Sequence, residues 1–158
     1  MENQSFTASE YEGFDRTVVS NAIKNWDSST SYPNLTIQST TLFCPVDLKV
    51  YNWVNGTKTL NIEIKTQNGN YPSFLLKKEK LERMRREAGN GDLWYVVINP
   101  DTSTIYWYDC KSLDWSKIYC KDLYQKVSNT RNLGYASYET YYIPRNLTFT
   151  TTKYAYNS

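Results

Sequence analysis

The sequence predicts an α/β fold, a sheet with helices on its faces. Three observations predict it. Apolar residues recur with helical period between Tyr11 and Trp26; two strand-like runs flank an Asn55-Gly56 hairpin signal; and a nearly continuous apolar run, Leu93 to Asn99, follows a second helical stretch.

Taken in order, Tyr11, Phe14, Val18, Val19, Ala22, Ile23 and Trp26 share one side when each residue turns about 100°, which predicts the first helix, with Ser9 as its N-cap. Leu35 to Phe43, rich in Thr and Ile, predicts a strand. Asp47 to Val54 and Thr59 to Thr66 predict two more, joined as a hairpin. After Tyr71-Pro72 a helix is expected, capped by Ser73, with Phe74, Leu81, Met84 and Ala88 on one face and Gly89-Asn90-Gly91 as its stop. Leu93 to Asn99 reads as a strand buried on both faces, and Thr104 to Asp109 as a further strand. Beyond Lys111 the pattern weakens. A short helix around Lys117 to Val127 is one reading, and Tyr135 to Tyr156 reads as strands or a packed tail. Residues 1–110 therefore form the core, and 111–158 a Tyr-rich C-terminal extension packed on the same domain.

With 158 residues the chain fits one domain, and 40% hydrophobic against 22% charged residues is a globular composition. The surplus of 15 Tyr and 5 Trp suits sheet faces, interfaces or base stacking without choosing among them. Net charge is only +2, but Lys77, Lys78, Lys80, Arg83, Arg85 and Arg86 outweigh Glu79, Glu82 and Glu87 within one stretch. Three cysteines without a C-x-x-C pair indicate neither a disulfide framework nor a zinc site. The N-terminal stretch lacks a signal-peptide pattern and no run is apolar enough for a membrane helix, so a cytoplasmic protein without a membrane is expected. Histidine is absent, which removes His-dependent nuclease, Ser-His-Asp and most zinc chemistries.

The chemistry centres on Pro45-Val46-Asp47 and, 16 residues after the aspartate, Glu63-Ile64-Lys65. Strand alternation puts Glu63 and Lys65 on one face and Ile62 and Ile64 on the other, with Gln67 continuing the polar row. The hairpin register decides whether Asp47 joins them. A two-residue Asn55-Gly56 turn would set Asp47 opposite Ile64, on the wrong side; a three-residue loop sets it opposite Glu63 or Lys65, so a site here demands an odd loop or a bulge. Two adjacent carboxylates repel unless a cation sits between them, and oxygen-only ligands suit Mg²⁺ or Mn²⁺; a lysine beside them would orient or deprotonate water and stabilise the phosphate.

These residues resemble the PD-(D/E)XK superfamily, which includes restriction endonucleases, Holliday-junction resolvases and phage nucleases. Pro45-Val46-Asp47 stands for the first motif, with Val between its two members, and Glu63-Ile64-Lys65 for the second. The resemblance covers about the first two thirds of the chain. It implies a restriction-endonuclease-like αβββαβ core with a mixed central sheet, and a Mg²⁺-dependent deoxyribonuclease with Asp47, Glu63 and Lys65 catalytic and Asp47 and Glu63 on the metal. Many members add an acid from the first helix. Asp15 lies within about 15° of that helix's mean apolar direction and Glu12 about 70° away, so Asp15 leads and Glu12 is second, Gly13 loosening the helix start. Lys77, Lys78, Lys80 and Arg85 are the expected phosphate contacts on a DNA partner. Resolvase-like action requires a two-fold homodimer. Small size and an Asn/Thr/Tyr-rich composition associate with a viral or mobile-element nuclease, acting in the host cytoplasm if viral.

Each feature has an ordinary reading beside the catalytic one. An E-x-K triplet on a strand is usually a solvated charge pattern, and Asp15 also reads as a partner of the helix dipole. Glu79 with Arg83 and Glu82 with Arg86 can self-pair along the basic helix. Tyr106, Trp107 and Tyr108 read as sheet packing before base stacking, and Tyr135, Tyr138, Tyr141 and Tyr142 as a dimer surface or a strand-binding platform. The competing function is a non-catalytic nucleic-acid- or protein-binding module that keeps the same fold.

Overall fold

The computed structural model describes residues 8–29, 35–53, 58–126 and 135–155, the side chains of 8–12, 27–29, 125–126 and 135 excepted. In chain order the elements are α1 (Ala8–Ser29), β1 (Thr36–Ser39), β2 (Leu48–Asn52), β3 (Lys58–Thr66), β4 (Ser73–Lys77), α2 (Lys78–Ala88), β5 (Asp92–Asn99), β6 (Thr104–Asp109), β7 (Cys120–Lys126), β8 (Tyr135–Pro144) and β9 (Thr150–Lys153). A mixed six-stranded sheet runs β1-β2-β3-β5-β6-β9, its one parallel pair being β3 with β5; a second sheet runs β4-β8-β7, antiparallel throughout. Parallel neighbours need a crossover, and β4 with α2 supplies it.

Alternation along the central strands sorts their side chains onto two faces. Leu60, Ile62, Trp94, Val96, Ile98, Ile105 and Trp107 pack with Val19 and Ile23 of α1, while Leu93, Tyr95, Val97, Tyr106 and Tyr108 pack with α2 and the second sheet. The sheet thus has α1 on one side and α2 with β4-β8-β7 on the other. Tyr106, Trp107 and Tyr108 are all buried, so they pack the sheet as expected. No helix among the described residues is long and apolar enough to cross a membrane, and all three cysteines are free.

Four expectations change. The helix over the basic stretch begins at Lys78, because Ser73–Lys77 is a strand: Phe74 and Leu76 are buried at period two and pair with Ile143 and Tyr141 of β8. Ser73 therefore caps nothing, and α2 starts without a side-chain cap. The expected helix around Lys117 to Val127 does not form over its described residues: Trp115–Lys117 is a 3-10 turn and Cys120–Lys126 is β7, held along β8. The first strand stops at Ser39, because a turn closed by the Cys44 amide on the Thr41 carbonyl follows and leaves Leu42 and Phe43 exposed, while the Thr40 hydroxyl is taken by the Val46 and Asp47 carbonyls. Helix α1 includes Ser9, so that residue precedes no helix start. Within the C-terminal third, β8 centres the second sheet and β9 pairs with β6 at the edge of the main one.

Candidate active site

The hairpin register is set by a bulge. β2 and β3 pair Leu48 with Ile62, Lys49 with Asn61 and Val50 with Leu60, whereas Trp53 bridges Lys58. Two residues of β2, Tyr51 and Asn52, therefore face one residue of β3, Thr59, and Asn52 takes the extra turn with φ +63°. The Asn55-Gly56 turn itself lies outside the described residues. Extending the pairing beyond Leu48 sets Asp47 across from Glu63, and the Asp47 amide donates to the Ile62 carbonyl at 2.8 Å. β3 runs on past its neighbour here, so the amide of Ile64 has no strand partner on that side. The Asp47 carboxylate accepts from it at 2.8 Å, with its other oxygen 3.4 Å from Arg16 of α1.

Glu63 and Lys65 share the α2-facing side of β3, as alternation demands, with buried Asn61 in the same row. Asn61 is satisfied by the Lys49 ammonium at 3.0 Å and the Asp92 carbonyl at 3.1 Å. Glu63 and Lys65 open instead onto a cavity of about 280 Å³, whose wall includes Lys77, Lys80, Arg83, Tyr95 and Thr140. The Glu63 carboxyl is pushed up to about 8, first by burial and then by the Asp47 carboxylate beside it, and Lys80 at 3.4 Å pulls in the opposite sense. Burial, with the nearby Lys77 cation second, holds the Lys65 ammonium below the usual lysine range. Its Nζ lies 3.5 Å from the Leu75 carbonyl, which also accepts from the Tyr95 hydroxyl at 3.0 Å.

The remaining expected residues divide. Asp15 accepts from the Thr66 hydroxyl, whose side chain alternates to the α1 face, so the structure places Asp15 across the sheet from Glu63 and Lys65. The Glu12 side chain lies outside the described residues. Gln67 follows β3, its backbone N–H donates to the Ile98 carbonyl at 2.9 Å, and it is not part of the cavity wall. Lys77 and Lys80 line the cavity; Lys78 instead reaches Glu139 at 4.0 Å, and Arg85 lies over the Trp115 ring at 5.7 Å.

Three residues were missed. Arg16 reaches Asp47; Arg83, assigned by sequence to a helix ion pair, lines the cavity; and Tyr95, placed beside Glu63 by the parallel register, turns its hydroxyl into the same space. A polar tip inside the run Leu93 to Ile98 was the available signal for Tyr95.

No family model and no curated protein matches the chain. Among solved structures, a similar one is that of Hjc from Archaeoglobus fulgidus, a Holliday junction resolvase from an archaeal hyperthermophile. The TM-score is 0.43 and the identity 11%, over 79% of this chain and 89% of that one.

Chemically, burial and the neighbouring Asp47 charge both raise the Glu63 carboxyl, and a divalent cation is the group that relieves such repulsion between carboxylates. Among the described residues no cluster of three or more His, Cys, Asp or Glu is placed to hold an ion. Asp47 and Glu63 nonetheless fit Mg²⁺ or Mn²⁺, because a hard cation is commonly held by one or two carboxylates with water and substrate oxygens completing its shell.

Proposed function

We propose that this chain is a metal-dependent nuclease of the restriction-endonuclease-like fold that hydrolyses DNA phosphodiester bonds, Asp47 and Glu63 holding Mg²⁺ or Mn²⁺. The observation that supports it is that Glu63 and Lys65 open onto one cavity while the one-residue bulge at Asn52 sets Asp47 across from Glu63, whose carboxyl its charge raises. The succession α1, β1, β2, β3, α2, β5, with β4 inserted, agrees with the core that the sequence motif implies. When bound, the metal supplies polarisation of a phosphate oxygen and a more acidic water.

The chain's own residues do the rest. Lys65, made more acidic by burial, orients the attacking water and takes or gives a proton at its Nζ. Lys77, Lys80 and Arg83 place positive charge where phosphate oxygens gather negative charge, and Lys80 exchanges its hold on Glu63 for a phosphate as substrate enters. Tyr95 and Leu75 close the inner wall against bulk water.

Incubation with linear, circular and branched DNA in Mg²⁺, Mn²⁺ or EDTA tests the reading. Cleavage is expected with either metal and not in EDTA, and should be lost in Glu63→Ala and Lys65→Ala. Cleavage that persists in both variants overturns the assignment. A solution mass measurement tests the two-fold pair that action on a four-way junction would need.

One observation favours the second reading, a nucleic-acid-binding module without catalysis. Asp47 is already satisfied by the Ile64 amide and Arg16, and Glu63 by Lys80, so the carboxylates have partners without a metal. That module would bind DNA equally with and without EDTA and cut none.

A further inference from the structure

The second sheet has two unlike faces. One sends Phe74, Leu76, Cys120, Tyr141 and Ile143 into the core. By alternation the other carries Lys77 of β4, Tyr138, Thr140 and Tyr142 of β8, and Lys121 of β7, because Lys77 and Lys121 both pair with Thr140. The rings and ammonium groups interleave. Lys77 Nζ lies 4.0 Å above the Tyr138 ring, Lys121 Nζ 5.6 Å from that of Tyr142, and Tyr119 packs against Tyr142 at 5.5 Å between centroids. Tyr119 is 63% exposed, more than core packing needs, and Lys121 is exposed beside it.

This face is continuous with the candidate active site, since Lys77 and Thr140 also line the cavity that holds Glu63 and Lys65. Its charge is complementary to a nucleic-acid backbone: Lys77 and Lys121 extend the run of Lys65, Lys80 and Arg83. The acids of these strands, Asp122 and Glu139, pair with each other at the opposite parity, and Lys78 approaches Glu139. Aromatic rings alternating with cations on a sheet bind unpaired bases by stacking, whereas a duplex keeps its bases stacked on each other and offers only phosphates.

We infer that Tyr119, Tyr138 and Tyr142, with Lys77 and Lys121, form a stacking platform for single-stranded DNA. The substrate of the adjacent site is then DNA with unpaired nucleotides beside the scissile phosphate. This rests on the cavity being a nucleic-acid site, as proposed above.

The test is fluorescence anisotropy in EDTA with the full chain, using a labelled oligothymidine of about 12 nucleotides and a duplex of the same length. Wild type is expected to prefer the single strand. Tyr119→Ala and Tyr142→Ala should each weaken that binding about tenfold while moving duplex affinity less than about twofold. Tyr119→Phe and Tyr142→Phe should retain the single-strand affinity, and Lys121→Ala should flatten its salt dependence by about one ion. Tyr119 is exposed enough that its Ala variant leaves the fold intact, so its result stands even where Tyr142→Ala unfolds. No strand preference in wild type, an equal loss on both probes, or no loss in Tyr119→Ala overturns the platform. Cleavage in Mg²⁺ of single-stranded DNA, of a duplex with a single-stranded tail and of branched DNA is scored separately: ring-dependent binding without cleavage of any of the three overturns the nuclease reading alone, and cleavage without ring dependence overturns the platform alone.

Discussion

The two faces of the main sheet differ in what they bury. Against α1 the sheet presents Leu60, Ile62, Val96, Ile98, Ile105 and a tryptophan cluster, Trp107 lying 4.5 Å from Trp26 and 5.9 Å from Trp94 between centroids. Against α2 and the second sheet it presents tyrosines, buried Asn61, and the Glu63 and Lys65 that open onto a cavity. Dispersion and burial make the first face a source of stability; a carboxyl held up to about 8 and a lysine held below its usual range make the second a cost to stability that a function explains. Trp107→Ala breaks this contrast most severely. Removing a fully buried indole, whose Nε1 also donates to Thr152 at 2.9 Å, should destabilise the fold by about 3–5 kcal/mol in urea denaturation. Cleavage per folded molecule should hardly move.

Lys65→Ala is the converse on the other face. Cleavage should fall by about 10²–10³-fold, as when one donor to a transition state is removed, while unfolding free energy changes by less than about 1 kcal/mol. Comparable loss of stability in both variants would mean that the faces are not specialised.

Glu63 sharpens the comparison through pH. Below the ordinary value of 4.5 the side chain is protonated whether the chain is folded or not; between 4.5 and about 8 the folded protein keeps a proton that the unfolded chain releases. Stability in EDTA should therefore decline as pH rises through this window, by on the order of 5 kcal/mol, and level off above about 8. The decline should vanish in Glu63→Gln, measured by urea denaturation at successive pH values. On the proposed metal site, adding Mg²⁺ above pH 8 should restore stability to wild type and not to the variant, because such a site takes the ion in its ionised folded form.

How much of this was legible depends on how far apart in sequence the deciding contacts lie. Glu63 and Lys65 share a strand, and their common face follows from alternation alone. The aliphatic face of α1 is equally local, its period readable from Val19 and Ile23. The strand nature of Ser73–Lys77 was not legible, because five residues carry too short a period and their partner, β8, lies at residues 135–144. Tyr138 and Tyr141 look alike in sequence, yet pairing sends Tyr141 into the core and Tyr138 beneath Lys77. Asp15 pointed along the apolar side of α1, as its angle required, but that side meets Thr66 and not the opposite face of the same strand. Arg16, one residue on, reaches Asp47 instead.

The smallest expected effect concerns Asn52, on which the two faces jointly depend. Its φ of +63° lies in the left-handed region, where Asn is tolerated and β-branched residues are strained. Without the extra residue there, the pairing of Trp53 with Lys58 would carry through to Val50, and Asp47 would fall opposite Ile64 on the α1 face. Asn52→Gly should keep both stability and cleavage within a few tenths of a kcal/mol of wild type, because Gly accepts the same conformation. Asn52→Val should cost about 1–2 kcal/mol in denaturation. If it also lowers cleavage by more than its unfolded fraction accounts for, the bulge positions Asp47; if cleavage follows stability alone, Asp47 reaches Glu63 without the bulge's help.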